Sequence, residues 1–137
     1  MSRGFRVWDD QTKSYDSDRE FVLNSSGVLM ELCPNHIGTW EYHFADTDRF
    51  IVEFDTGLKD KNGEEIYEGD IVKIQRARKR PKIYEIGWFI LRAGFIATRL
   101  GIKAEEYLME DFYEIMSGEV IGNKHEGTDG GKNKDER

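Results

Sequence analysis

The run Thr56-Gly57-Leu58-Lys59-Asp60-Lys61-Asn62-Gly63-Glu64-Glu65-Ile66-Tyr67-Glu68-Gly69-Asp70-Ile71-Val72-Lys73-Ile74 constrains this chain more than any other stretch. Glycines at 57, 63 and 69 punctuate it too often for a helix to propagate. Asn62-Gly63 supplies the positive-φ positions that a tight turn demands. Glu68-Gly69-Asp70 is a second break, and the β-branched run around Ile71-Val72 then enters a strand. This is turn and strand chemistry. The run holds no nucleophile, no metal-ligand cluster and no phosphate loop, so it speaks about fold and not about reaction.

The flanking sequence reads the same way. Phe5-Arg6-Val7-Trp8 is a short strand that breaks at Asp9-Asp10, and residues 15–20 read as loop. Phe21-Val22-Leu23, Asn24-Ser25-Ser26-Gly27 and Val28-Leu29-Met30-Glu31-Leu32 predict strand, turn, strand. Cys33-Pro34-Asn35-His36 interrupts again, after which 40–44 and 50–54 alternate as strands. Beyond the central run come strands at 83–90 and 94–98, an ambiguous stretch at 105–112 (helical turn or loop), Tyr113-Glu114-Ile115-Met116 at the sheet's acidic edge, and a last strand at 118–123. The expected fold is mainly β. Residues 64–123 form a small closed β-barrel of the Src-homology-3-like kind, and residues 1–63 form a β-hairpin extension, together one domain over 1–123. Residues 124–137 carry no apolar side chain, too little to offset their ordering entropy, and are expected to be a disordered, mobile tail.

An aromatic share of 12% argues for a real core despite 34% charged residues. No apolar run approaches the ~18 residues of a membrane span, and no apolar segment follows the N-terminus as a secretory signal requires. Cys33 is the sole cysteine, which suits a reducing cytoplasm. The net charge of −7 is segregated. Nine basic residues and one acidic residue (Glu85) lie between positions 73 and 103, a charge of +8, and the remainder carries −15. Such a separation serves a polyanionic partner or self-association between opposite patches.

Three anchors in order, Phe5-Arg6-Val7-Trp8-Asp9, the 56–72 part of the central run and Glu119-Val120-Ile121-Gly122-Asn123, resemble the YopX-like proteins of bacteriophages and prophages. The likeness spans roughly residues 4–123. It implies a small β-dominated domain of phage or prophage origin acting in the host bacterial cytoplasm. It implies no reaction and transfers no catalytic residues.

The best candidate contact is the basic loop Arg76, Arg78, Lys79, Arg80 and Lys82, at the tip of a hairpin between strands 71–74 and 83–90. It can neutralise phosphates, with Tyr84, Trp88 and Phe95 as neighbouring stacking faces, or meet an acidic protein surface. A pI near 5.0 favours the protein surface over nucleic acid. The acidic stretch Glu105, Glu106, Glu110, Asp111, Glu114 and Glu119 alternates with apolar residues as a solvated face does, and opposes the arm in charge. In the central run, turn chemistry accounts for Lys59, Asp60, Lys61 and Glu64 without a ligand. Cys33, His36 and His43 lack the fourth ligand of a structural zinc site. Ser25, Ser26 and Ser117 lack a nucleophile context. The reading is therefore a non-enzymatic interaction module, homo-oligomeric, without cofactor or metal. Its partners are a host or phage protein, with nucleic acid at the loop as the alternative and no membrane.

Overall fold

The computed structural model describes residues 4–89, 94–101 and 112–126. The chain divides into two compact units, 1–53 and 54–137.

The first unit opens with β1 (Phe5–Asp9) and β2 (Ser14–Tyr15), an antiparallel hairpin with Trp8 opposite Tyr15. Tyr15, expected in a loop, is thus in a strand: its phenol donates to Glu53 at 2.8 Å and its ring meets that of Trp8 edge-on at 5.0 Å. β3 (Phe21–Leu23), β4 (Leu29–Pro34) and β5 (Trp40–Phe44) form a three-stranded antiparallel sheet in that order. Asn24 shapes the first turn, its side-chain oxygen accepting the N–H groups of Ser26 and Val28. β4 runs through Cys33 to Pro34, where the sequence suggested an interruption. The true turn is one position later, where Asn35 accepts the N–H groups of Ile37 and Thr39. Pro34 is tolerated at the strand end because it needs no ladder donor there. Val7, Phe21, Leu29, Ala45 and Phe50 make the core, with Phe21 and Phe50 edge-to-face at 5.1 Å.

β6 (Phe50–Lys59) is followed by β7 (Glu65–Tyr67), and the sheet order is β2-β1-β6-β7. Thr56 and Gly57 are a bulge within this strand and not a break before a turn. The bulge is held by the Thr56 hydroxyl, which donates to the Ile66 carbonyl, and by Asp55, which accepts the Gly57 N–H. The turn itself spans residues 60–64. Gly63 alone takes positive φ, +83°, and Asn62 does not, because this is a three-residue loop with one left-handed position. Asp60 organises it, one carboxylate oxygen accepting the N–H groups of Asn62 and Glu64 at 2.8 and 2.9 Å.

The second unit's larger sheet has the order β10-β9-β8-β11, with β8 (Asp70–Ile74), β9 (Lys82–Phe89), β10 (Gly94–Arg99) and β11 (Glu119–Asn123). Among the described residues these pairings leave β10 and β11 at the two ends and show a mainly β fold without closure into the expected barrel. Residues 113–116, expected at a sheet edge, instead belong to a short helix, α1 (Phe112–Met116), that buries Ile115 against Ile66, Val72, Ile74, Tyr84, Ile86 and Ala97. Of the ambiguous stretch 105–112, Phe112 opens α1 while 105–111 lies outside the described residues, as does the tail from 127 onward. Residues 124–126, assigned to that tail, are hydrogen-bonded: Lys124 N–H to the Gly69 carbonyl at 2.7 Å, and His125 N–H to the Asn123 side chain at 2.9 Å. Asn123, buried at the end of β11, organises them. Among the described residues no helix is long and apolar enough to cross a membrane.

Candidate functional site

The hairpin expected around the basic loop is present, with Ile71 opposite Glu85 and Ile74 opposite Lys82. Val72, Ile74, Tyr84 and Ile86 pin its base into the core, and the loop at residues 75–81 projects into solvent. The loop has internal structure. The Gln75 amide donates to the carbonyls of Arg76 (3.2 Å) and Lys79 (2.9 Å), and the Lys79 N–H closes a turn onto the Arg76 carbonyl. Arg78 sits at φ 64°, a left-handed conformation uncommon for a long side chain.

The five candidate cations fall into two sets. Arg76 and Lys82 stand on either side of Glu114 on α1, with nitrogens 3.3 and 3.8 Å from one carboxylate oxygen. Those separations answer its charge without forming a directed hydrogen bond, and that oxygen is buried. Arg78, Lys79 and Arg80 are exposed and make no ion pair among the described residues. Part of the arm's charge is therefore answered by its own chain, and at the tip three cations have no ion pair among the described residues. Trp88 and Phe95 lie across from each other on β9 and β10, edge-to-face at 5.1 Å, with Trp88 half exposed.

Other residues singled out from sequence are occupied in the fold. The second carboxylate oxygen of Asp60 accepts the Val120 N–H at 2.9 Å, tying the turn to β11. Ser117 donates to the Glu114 carbonyl at the end of α1. Cys33 and His43 lie on β4 and β5 opposite Glu41 and Glu31.

The first unit instead concentrates charge inside. Asp9, 1% exposed, accepts two hydrogen bonds from Arg49 at 2.8 and 2.9 Å and one from the Gln11 N–H. The Arg49 hydrogen bonds hold the Asp9 carboxyl far below the usual carboxylate range, against the opposing effect of burial. Glu53, equally buried, accepts from the Arg6 guanidinium at 2.9 Å and from the Tyr15 phenol. Arg6 lies over the Tyr15 ring and Arg49 over the Phe50 ring, so apolar and charged packing share the same side chains.

Sequence reasoning missed a second surface. Every residue of β5 is exposed, including Trp40 (64%), Tyr42 (43%) and Phe44 (74%), which alternate along the strand and so share one face. Leu32 lies opposite Tyr42 on that face and Met30 opposite Phe44. A groove of about 590 Å³ lined by Asp18, Arg19, Glu20, Leu32 and Trp40 opens there. The Tyr42 phenol donates to Glu20 at 3.0 Å, and that bond, with burial and the carboxylate charge, raises the phenol above its ordinary value. Alternation identifies an aromatic face but predicts it inward, which is why the surface escaped notice.

No curated protein matches the chain. Two solved structures are similar over most of their length. Protein EF1440 from Enterococcus faecalis is 24% identical, with a TM-score of 0.53 over 89% of this chain and 92% of its own. Protein yopX from Bacillus subtilis is 17% identical, with a TM-score of 0.57 over 93% and 96%. At such identities the likeness speaks to fold. The family profile described as YopX protein matches residues 4–129, which takes in both units, the basic hairpin and β5, and on that match the chain is a member of the YopX family.

Proposed function

We propose that this chain is a non-enzymatic, self-associating interaction module of phage or prophage origin that works in the bacterial cytoplasm. The observation that carries the reading is the exposed aromatic row Trp40, Tyr42 and Phe44 on an edge strand. Aromatic side chains are enriched at interface cores, and an isolated apolar residue needs no such explanation, whereas three in line on one strand do. The buried carboxylates Asp9, Glu53 and Asp60 are engaged by arginines or backbone N–H groups, which suits scaffolding better than proton transfer. Sedimentation equilibrium over a concentration series tests the reading. The wild-type chain is expected to sediment as an oligomer, and Trp40→Ser/Phe44→Ser as a smaller species with unchanged circular dichroism. A wild-type chain monomeric at every concentration would sink it.

A second reading has its own support: the tip cations Arg78, Lys79 and Arg80, which leave a compact positive cluster for a polyanion. Filter binding or anisotropy with single-stranded DNA at low salt is the direct test. Under this reading Arg78→Ser/Lys79→Ser/Arg80→Ser abolishes binding. Glu114→Gln, by releasing Arg76 and Lys82, strengthens it and steepens its salt dependence. No binding at low salt ends this reading.

A further inference from the structure

We propose that β5 pairs antiparallel with β5 of a second copy of this chain about a two-fold axis at Tyr42, joining two three-stranded sheets into one of about six strands. The inference rests on the self-association proposed above and names the surface that does it.

Backbone direction is the first observation. The β4–β5 ladder is bracketed by hydrogen bonds from Asn35 N–H to the Thr39 carbonyl (2.7 Å) and from Ala45 N–H to the Leu29 carbonyl (3.0 Å). Its register between them is unbroken, from Pro34 opposite Trp40 to Met30 opposite Phe44. In an antiparallel pair every second residue bonds its partner strand. Glu41 and His43 therefore turn their main-chain groups toward β4, while Trp40, Tyr42 and Phe44 turn theirs toward the open edge. Among the described residues no strand pairs with that edge. β5 contains no Pro, no Lys and no bulge, the devices by which proteins blunt exposed strands.

The sequence Trp-Glu-Tyr-His-Phe is the second observation, because it complements itself when reversed. Centred on Tyr42, Trp40 lies across from Phe44 of the other copy and Tyr42 across from Tyr42. These are the hydrogen-bonded positions, giving about six main-chain bonds. On the opposite face Glu41 lies across from His43 of the other copy, twice, at the closer non-hydrogen-bonded spacing. Within one chain Glu41 and His43 already approach to 3.5 Å, and both are half exposed with no other ion pair among the described residues. The pairing gives each a second partner. No register shifted by one residue achieves this, because a one-residue slip sets aromatic positions against polar ones. A single edge strand buries little for a specific interface, so the association is expected at the weak end of the range.

Cross-linking reads the register directly. Under this pairing the two Cα atoms at position 42 lie about 5.5 Å apart, within disulfide reach, whereas those at position 41 are offset to about 8 Å. Full-length Cys33→Ser/Tyr42→Cys is expected to oxidise to a covalent dimer, and Cys33→Ser/Glu41→Cys to remain uncross-linked. Independently, His43→Glu sets carboxylates against each other and should weaken dimerisation at least about tenfold by sedimentation, with Glu41→Lys/His43→Glu restoring it. An oligomer that persists through His43→Glu, with no cross-link at position 42, overturns the β5 pairing and leaves self-association standing. A chain monomeric throughout and uncross-linked overturns both.

Discussion

Asp9 and Arg49 meet through two hydrogen bonds from one guanidinium to one buried carboxylate, and that geometry predicts an acid-sensitive contribution to stability. The folded carboxyl is held well below its ordinary value of 3.8. A carboxyl depressed on folding contributes stability that is fully present above the unfolded pKa and is lost as pH falls through the folded one. Asp9→Asn is therefore expected to lower the melting temperature most at neutral pH. The gap from wild type should begin to close below about pH 4, where Asp9 takes up a proton in the unfolded chain but not yet in the folded one, and keep closing as pH falls toward the lower folded value. Thermal melts of both proteins from pH 7 to pH 2 check this, and a gap of constant size would place the acid sensitivity elsewhere. The low pKa belongs to a structural pair. It rests on a packing partner forty positions away, which no local sequence pattern announces.

At the scale of elements, the joint between α1 and β11 is closely packed at Gly118. A Cβ at Gly118 would lie 2.6 Å from the Lys73 carbonyl and 2.9 Å from side-chain carbons of Val72 and Ile74. The clash is with strand backbone, so β8 would have to move away from β11. Gly118→Ala is expected to destabilise the chain by about 1–3 kcal/mol in urea unfolding. A neutral result would mean that α1 and β11 shift together without cost. The Asp60 bond to the Val120 N–H beside this joint explains why the central run needs an acid at that position. The turn residues of that run were legible because glycine and aspartate have narrow conformational uses. The bulge at 56–57 was not, since a bulge and a break share the same glycine signal.

For the molecule as a whole, the described residues include two hydrophobic clusters with no member in common, one around Val7, Phe21 and Phe50, the other around Ile66, Tyr84 and Ile86. Ile66→Ala and Phe21→Ala are each expected to cost about 2–5 kcal/mol. Their combined effect should be additive within about 0.5 kcal/mol, as for residues of separate clusters. A coupling larger than this in a double-mutant cycle would mean that one cluster supports the other. By itself the sequence determined the β class, most strand positions, the hairpin beneath the basic loop and the family, because turn residues and alternation act over a few positions and leave a local signature. Only the tertiary structure decided that β5 is left exposed along its whole length, that Glu114 answers Arg76 and Lys82, and that Asp9 and Glu53 are buried with arginines. These depend on which distant segments meet, and alternation names two faces of a strand without saying whether the rest of the chain will cover either.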